Sequence, residues 1–333
     1  MIAGEVLVTG ASGFVGGHLA NRLADDGQKV RVLVRRSSDI SRLRRNGAIE
    51  FCYGDLEDVD TLRECMRNVT TVFHCAAMSS DWGKDDAFNR ANVSGVENLL
   101  KLAKENEGFK RFLHVSTTDV YGYPAIACNE SREVKKVGLP YNESKIEGEK
   151  VLLEAFRSFG FPVTILRPAT IYGPHSISIV KEIYNHLRSR SMLLVGRGES
   201  SAGLVYVDNL VDAAVAAAES PNTIGKAYNI TDDEAISWRC FVNALADRTG
   251  TKRPFLNLPE NLALWAGYFF EALWGLLNIT SRPPLTGHAV YLFSRDQQYD
   301  NRKAKVEFGY ASRVSFEEGM DRTVEWLSQF VVE

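Results

Sequence analysis

Thr9-Gly10-Ala11-Ser12-Gly13-Phe14-Val15-Gly16 decides the reading of this chain, because it joins a compact apolar run, Val6–Thr9, to a stretch of helical spacing, Val15–Asp25. Val15, Leu19 and Leu23 recur at intervals of four and so share one helix face. Glycines at such a junction permit a tight turn, admit a pyrophosphate close to the backbone, and let helix and strand touch. The helix N-terminus adds free N–H groups and partial positive charge. Gly10, Ser12, Gly13, Phe14, Val15 and Gly16 are therefore predicted to cradle a dinucleotide. A glycine turn that only reverses the chain is the competing reading. The strand before it, the helix after it and its place near the N-terminus argue against that.

Outward from this loop, short β-branched runs alternate with helical patterns. Val30–Val34, Ile49–Tyr53, Val72–Cys75, Phe112–Ser116 and Val163–Arg167 read as strands, and a polar helix is expected around Asp39–Arg45. Continuous apolar strands with helical crossovers imply parallel pairing, hence an α/β fold with a doubly wound parallel sheet of the Rossmann kind. Residues 1–172 are assigned to this dinucleotide-binding domain. After Pro174 the alternation weakens: a short strand at Leu204–Val207 and a helix through Val211–Glu219 are expected, then a helix-rich C-terminal part. Residues 173–333 are read as a smaller, mostly substrate-binding lobe, with some segments returning to the first domain.

The chain's 333 residues, 45% hydrophobic and 24% charged, suit a globular protein with a large core. A net charge of -3 supplies no basic field, so no nucleic-acid partner is expected. Arginines are dense between Arg31 and Arg45. The five cysteines form no CxxC pair and the six histidines show no ligand spacing, so the thiols read as reduced, cytoplasmic ones and no metal is expected. Residues 5–9 are too short for the apolar core of a secretory leader, and glycines follow at once.

Val30–Val34 ends in Arg35-Arg36. In this fold the end of the second strand meets the adenosine ribose. A carboxylate there suits the free 2′-OH of NAD, and arginine suits a 2′-phosphate. Arg35 and Arg36 thus favour NADP, with NAD the alternative; a solvated helix start is the bland reading. Asp55, after the third strand, can accept from the adenine amino group while Leu56 packs on the ring. Asp55 is otherwise an N-cap for a helix beginning near Glu57.

Pro140-Tyr141-Asn142-Glu143-Ser144-Lys145 opens a helix running to about Phe156. Tyr141 and Lys145, at i and i+4, share a face. An ammonium beside a phenol favours phenolate and brings a group of pKa near ~10 towards working pH. The strand Phe112–Ser116 runs into Thr117-Thr118-Asp119-Val120-Tyr121-Gly122, which places hydroxyls at a strand's carboxyl end, where such sheets bind ligands. One of them could bond the substrate oxygen beside Tyr141, or the set could form ST-turns.

Thr9–Gly16, Gly54-Asp55-Leu56, His74-Cys75-Ala76-Ala77, Asn92, Val115–Gly122, Tyr141/Lys145 and Arg167–Pro174, in that order, resemble the extended short-chain dehydrogenase/reductase superfamily over nearly the whole chain. The resemblance implies a nicotinamide-dependent oxidoreductase with Tyr141 as acid/base. Lys145 would bind the nicotinamide ribose and depress the tyrosine pKa, and Thr117 would hold the Ser/Thr position, with Ser116 and Thr118 as alternatives. It also implies that Cys75, Ala76 and Ala77 line the cofactor, that Pro168, Thr170 and Ile171 shape the nicotinamide pocket, and that Asn92 braces the site or lies on a helix surface. A homodimer through helices beside the Tyr141 helix belongs to the same inference.

Members acting on nucleotide sugars usually carry an arginine just before the Val205-Tyr206-Val207-Asp208 segment to grip the diphosphate. Here Arg197 is present, but the later arginine is missing from Gly198–Leu204. Leu262–Leu277 instead resembles the hydrophobic C-terminal helices of 3β-hydroxysteroid dehydrogenase-like members. At 1.5 Å per residue it spans only about 24 Å, short of the ~30 Å hydrocarbon core. If helical, it collects Gly267, Glu271, Gly275 and Asn278 in one small or polar stripe. It is expected to wall a greasy substrate pocket or to rest on a membrane surface; a fully buried helix is the alternative. The favoured function is NADP-dependent interconversion of a secondary alcohol and a ketone on an apolar, sterol-like or other lipid-like small molecule. The alternatives are a nucleotide-sugar 4-epimerase/dehydratase, dihydroflavonol-reductase-like chemistry and a non-catalytic dinucleotide sensor, the last disfavoured because Thr117, Tyr141 and Lys145 occur together.

Overall fold

The apolar runs of the first half do become strands, and the crossovers between them return the chain to the same end of the sheet. The computed structural model describes residues 2–43, 47–124 and 126–330. In chain order the first half contains β1 (Glu5–Thr9), α1 (Phe14–Asp25), β2 (Val30–Val34), β3 (Ile49–Tyr53), α2 (Val59–Cys65), β4 (Val69–His74), α3 (Asp85–Asn89), α4 (Gly95–Lys104), β5 (Arg111–Val115), α5 (Pro140–Phe159) and β6 (Val163–Pro168). The second half contains β7 (Thr170–Tyr172), α6 (Glu182–Arg188), β8 (Leu194–Val195), β9 (Leu204–Tyr206), α7 (Val207–Glu219), β10 (Lys226–Ile230), α8 (Trp238–Thr249), β11 (Asn257–Leu258), α9 (Glu260–Leu276), α10 (Gly287–Ser294), α11 (Arg302–Phe308) and α12 (Phe316–Ser328).

The main sheet has seven strands in the order β10-β6-β5-β4-β1-β2-β3, all parallel. The order reverses at β1, between β2 and β4, and the crevice at such a switch point is where a ligand binds. Successive residues of β1 explain its unbroken apolar run. Val6 and Val8 enter a core with Leu19 and Leu23 of α1 and Leu210 and Ala214 of α7. Leu7, between them, enters the opposite core with Leu62, Leu99 and Leu152 of α2, α4 and α5. A third core, around Tyr172, Trp238, Phe241, Phe316 and Trp326, holds the C-terminal lobe together. Ile171 packs against both this core and the first one.

Four local expectations change. The seventh strand, β10, was not read from the sequence; α7 and β10 together form a further crossover unit on the sheet. The helix expected from Val211 begins at Val207, directly after β9. The helix expected around Asp39–Arg45 is a single 3₁₀ turn, Ser41–Leu43, and residues 44–46 lie outside the described residues. Finally, α2 starts at Val59 because Asp58, not Asp55, caps it, its carboxylate accepting from Thr61 N. Asp55 instead accepts from Glu57 N in a local turn at 3.2 Å.

Candidate active site

The glycine loop is as tight as its composition demands. Gly10 has φ +71, and a Cβ there would lie 2.6 Å from Ala76 N, at the end of β4. A Cβ on Gly16 would lie 2.3 Å from Gly10 O, so only glycine lets α1 start this close to the turn. Gly13 is the N-cap of α1 and provides no side-chain cap, which leaves first-turn N–H groups for an anion. These features fit a dinucleotide pyrophosphate. Across the crevice, Thr9 Oγ1 accepts from Ala76 N at 3.2 Å and lies 2.7 Å from His74 Nδ1, tying the ends of β1 and β4 together. Cys75 and Ala76 are partly buried beside this junction and Ala77 is exposed.

The arginine-dense segment resolves into separate roles. Arg31 is structural: it pairs with Glu5 and Glu50 and donates to the carbonyls of Cys65 and Arg67. Arg35 and Arg36 are exposed at the end of β2, with Arg36 5.9 Å over the Tyr53 ring. Arg42 was not singled out from the sequence. Its guanidinium lies over Gly17, where a Cβ would come within 2.1 Å of it, and donates to Phe14 O at 3.4 Å. It thus stands beside the first turn of α1. The signal that could have found it was the arginine density itself. Asp55 is exposed, while Leu56 is buried and presses on Gly95 at the start of α4, so its side chain belongs to the core.

Helix α5 begins with proline at its first position, where a missing N–H costs nothing, and brings Tyr141, Lys145 and Glu149 onto successive turns of one face. Lys145 is 1% exposed; its Nζ donates to Val115 O at 2.8 Å and lies 3.3 Å from His114 Nε2. Burial pulls its amine down to about 8, partly offset by Glu149 and Cys75. Thr117 sits where β5 ends, and its Oγ1 accepts from Asp119 N at 3.1 Å. The same hydroxyl stands near enough to the Tyr141 phenol to favour its ionised form. Burial and then the Asp119 carboxylate push Tyr141 above its ordinary value, and the nearby Thr117 hydroxyl only moderates the rise. The expected depression of the phenol by Lys145 is not what the geometry provides, because the ammonium is turned towards β5. Ser116 Oγ and Thr118 are also buried at this strand end, Ser116 Oγ without a hydrogen-bond partner.

Asn92 is a brace and not a surface residue. It is buried, its Oδ1 accepts from Met78 N at 2.8 Å, and its Nδ2 donates to Met78 O and to Ser144 Oγ at 3.0 and 2.9 Å. The loop after β4 is thereby fixed against α5. Pro168 ends β6, and Thr170 and Ile171 follow in β7, paired to β9. Above the strand ends, Tyr123 donates to or accepts from His288 Nδ1 at 3.0 Å and stacks on Tyr291 at 4.3 Å, so α10 faces the loop that carries Thr117. Arg282 grips Asp81 with two bonds of 2.5 and 2.8 Å, tying the segment between α9 and α10 to the loop after β4. Among the described residues no cluster of His, Cys, Asp and Glu could hold a metal ion.

The model of the NAD dependent epimerase/dehydratase family matches residues 6–231. The chain belongs to that family. A ketoreductase of Stigmatella aurantiaca acting on 4-hydroxy-2-methyl-3-oxo-4-farnesyl-3,4-dihydroquinoline-1-oxide is 32% identical over 321 residues, 95% of either chain. A decarboxylating sterol-4-alpha-carboxylate 3-dehydrogenase of Mus musculus is 28% identical, over 97% of this chain and 91% of its own. The crystal structure of gox2253 superposes with a TM-score of 0.81 at 28% identity, covering 98% of both chains. This member of the epimerase/dehydratase family is thus an NAD(P)-dependent enzyme of the extended short-chain dehydrogenase type, with reductases and dehydrogenases among its relatives.

Proposed function

We propose that the chain interconverts a secondary alcohol and a ketone on an apolar, lipid-like substrate with NADP(H), and that Thr117, Tyr141 and Lys145 carry the chemistry. The observation that carries this reading is the convergence at the carboxyl end of β5 of Thr117, Tyr141 and, one helical turn on, the buried Lys145 bonded to Val115 O. When bound, the nicotinamide supplies or takes up the hydride. Tyr141, held protonated by burial and Asp119, is poised to donate its proton to a ketone oxygen in the reducing direction and to take it back in the oxidising one. Thr117 Oγ1 already accepts from Asp119 N–H, which directs its own proton towards the phenol or the substrate oxygen. Lys145 offers its remaining N–H to the nicotinamide ribose. Pro168, Thr170 and Ile171 shape the far side of the pocket, and Cys75, Ala76 and Ala77 its near side.

NADP is favoured over NAD because Arg35 and Arg36 are exposed at the end of β2 and Arg42 adds a third guanidinium beside α1. Residues 1–172 with α7 and β10 form the dinucleotide half in this reading, and the remaining C-terminal elements form the substrate lobe. An apolar substrate is supported by the relatives above, by the aromatic surface that Tyr123 and Tyr291 present, and by α9, which exposes Leu262, Trp265, Phe269 and Leu276 on one face. No helix among the described residues is long and apolar enough to cross a membrane, so α9 would rest on a lipid surface. A cofactor-fluorescence screen of sterol, aliphatic, flavonoid and nucleotide-sugar substrates tests the reading, with liposome flotation for α9. Turnover of a nucleotide sugar alone would overturn the substrate class. Bound NADP(H) whose redox state no carbonyl or alcohol changes would overturn the enzyme reading.

A further inference from the structure

Two histidines sit opposite one another in the middle of the sheet. His74 of β4 is in register with His114 of β5, so both side chains leave the sheet on the same face. Both are fully buried, and their rings stack at 5.3 Å with 23° between planes. Each imidazole uses only one nitrogen: His74 Nδ1 meets Thr9 Oγ1, and His114 Nε2 meets Lys145 Nζ. His74 Nε2 and His114 Nδ1 are buried without a partner. Buried polar atoms without partners are costly and call for an explanation. A pair of apolar residues would fill this position without that cost.

The explanation lies in what His114 does for Lys145. An ammonium has three N–H donors on a freely rotating head. One goes to Val115 O at 2.8 Å and a second to His114 Nε2 at 3.3 Å, both acceptors belonging to β5. Two bonds to one strand fix the rotation of the head and leave a single N–H for the crevice. For His114 to accept at Nε2 it must be neutral with its proton on Nδ1, which is the nitrogen left unpartnered. Burial, Lys145 and His74 hold His114 well below its ordinary value, so it stays an acceptor throughout the working range.

We propose that His114 is a positioning residue that orients the Lys145 ammonium towards the dinucleotide, through a hydrogen bond accepted at Nε2. The proposal rests on the placement of Lys145 in the cofactor site. The groups around Lys145 are Tyr141 and Glu149 on its own helix, Arg167 of β6 bound to Glu149, Cys75 after β4, and His74 and His114 on β4 and β5. Of these, His114 alone bonds the Nζ atom directly, and the Val115 carbonyl is its other partner among the described residues.

The test compares His114→Phe, which keeps a stacked ring without the acceptor, with His114→Gln, whose amide oxygen can take the place of Nε2. Dissociation constants for NADPH, read by fluorescence between pH 6 and 9.5, avoid dependence on turnover. His114→Phe is expected to weaken binding about tenfold at neutral pH, the effect of losing one hydrogen bond to a charged group. It should also move the alkaline fall in affinity to lower pH, since an ammonium without its acceptor deprotonates earlier. His114→Gln should restore both. Wild-type affinity and an unmoved alkaline limb in a folded His114→Phe protein overturn the proposal, as does His114→Gln behaving like His114→Phe. In the wild type, ¹⁵N-histidine NMR should show His114 neutral with its proton on Nδ1, and its Nε2 resonance moving as Lys145 titrates near 8; an unmoved resonance refutes the bond even if the Phe variant does not fold. Lys145→Met separates the two readings. Wild-type NADPH affinity in that variant removes Lys145 from the cofactor site, whereas lost affinity there with an unaffected His114→Phe removes His114 alone.

Discussion

Replacing Glu149 by methionine would strand a guanidinium in the core beneath the site. Glu149 is 3% and Arg167 5% exposed. Arg167 Nε lies 3.0 and 3.2 Å from the two carboxylate oxygens and Nη2 2.5 Å from one of them, a fork-to-fork contact joining α5 to β6. Its Nη1 donates to Tyr121 OH at 2.8 Å, and Tyr121 donates on to Asn229 Oδ1 at 2.7 Å. Without Glu149 the guanidinium keeps only the tyrosine oxygen. Breaking a buried pair on one side costs about 3–5 kcal/mol, a large part of a folding stability of about 5–15 kcal/mol. Replacing both partners by methionine removes the charge along with its counter-charge, so the double variant should be more stable than Glu149→Met alone. Urea unfolding followed by circular dichroism and tryptophan fluorescence measures both, as midpoint shifts at constant slope. A single-variant cost below about 1 kcal/mol, the worth of a surface pair, would refute the reasoning. So would a double variant less stable than the single one.

Tyr141→Phe should lower kcat by about 10²–10⁴-fold while NADPH affinity stays near wild type, and an unchanged kcat on a good substrate would remove Tyr141 from the chemistry. Arg35→Asp should turn a preference for NADPH into one for NADH, as read by paired titrations; equal affinities in the wild type would defeat the NADP assignment. Burial lowers His74 from 6.5 to about 3, so between these values the unfolded chain binds a proton that the folded chain refuses. Stability should therefore fall as pH drops from 6.5 towards 3. His74→Phe should flatten that slope in pH-dependent urea unfolding, and an equal slope in both proteins would exclude His74 as its source.

The sheet was legible because strands buried on both faces cannot hide: Val6–Thr9, Val30–Val34 and Val163–Arg167 are apolar without interruption. β10 escaped because Lys226 opens it and Asn229 interrupts it, and Asn229 is there to accept the hydrogen bond from Tyr121 OH. A turn glycine at Gly225, following an alanine-rich helix, was the available clue to another crossover. In the site, residues with a spacing rule were found: Gly10, Gly13 and Gly16 in one loop, Tyr141 and Lys145 one turn apart. His114, Asp119 and Arg42 were not, since each matters through a neighbour far away in sequence, and no periodicity encodes a contact between β5 and α5.

Helix α9 shows how composition can mark a stripe correctly and leave its direction open. Gly267, Glu271 and Gly275 do follow helical spacing, whereas Asn278 lies past the helix end with φ +51, and an amphipathic reading would turn such a stripe to water. The structure turns its first half inward. Gly267 is buried because the Thr286–Gly287 backbone passes where a Cβ would sit 3.0 Å away, and Glu271 accepts from Gly287 N at 2.9 Å. α10 thus docks on the small, polar side of α9, by backbone proximity and one hydrogen bond. The bulky apolar side is left outward, with Trp265 65% and Leu276 78% exposed, which rules out the fully buried helix. Close packing rewards small residues at a helix–helix contact as readily as it rewards leucine in a core. The side of α9 that packs is therefore set by which residues let α10 come near, and the apolar residues follow wherever that contact leaves them.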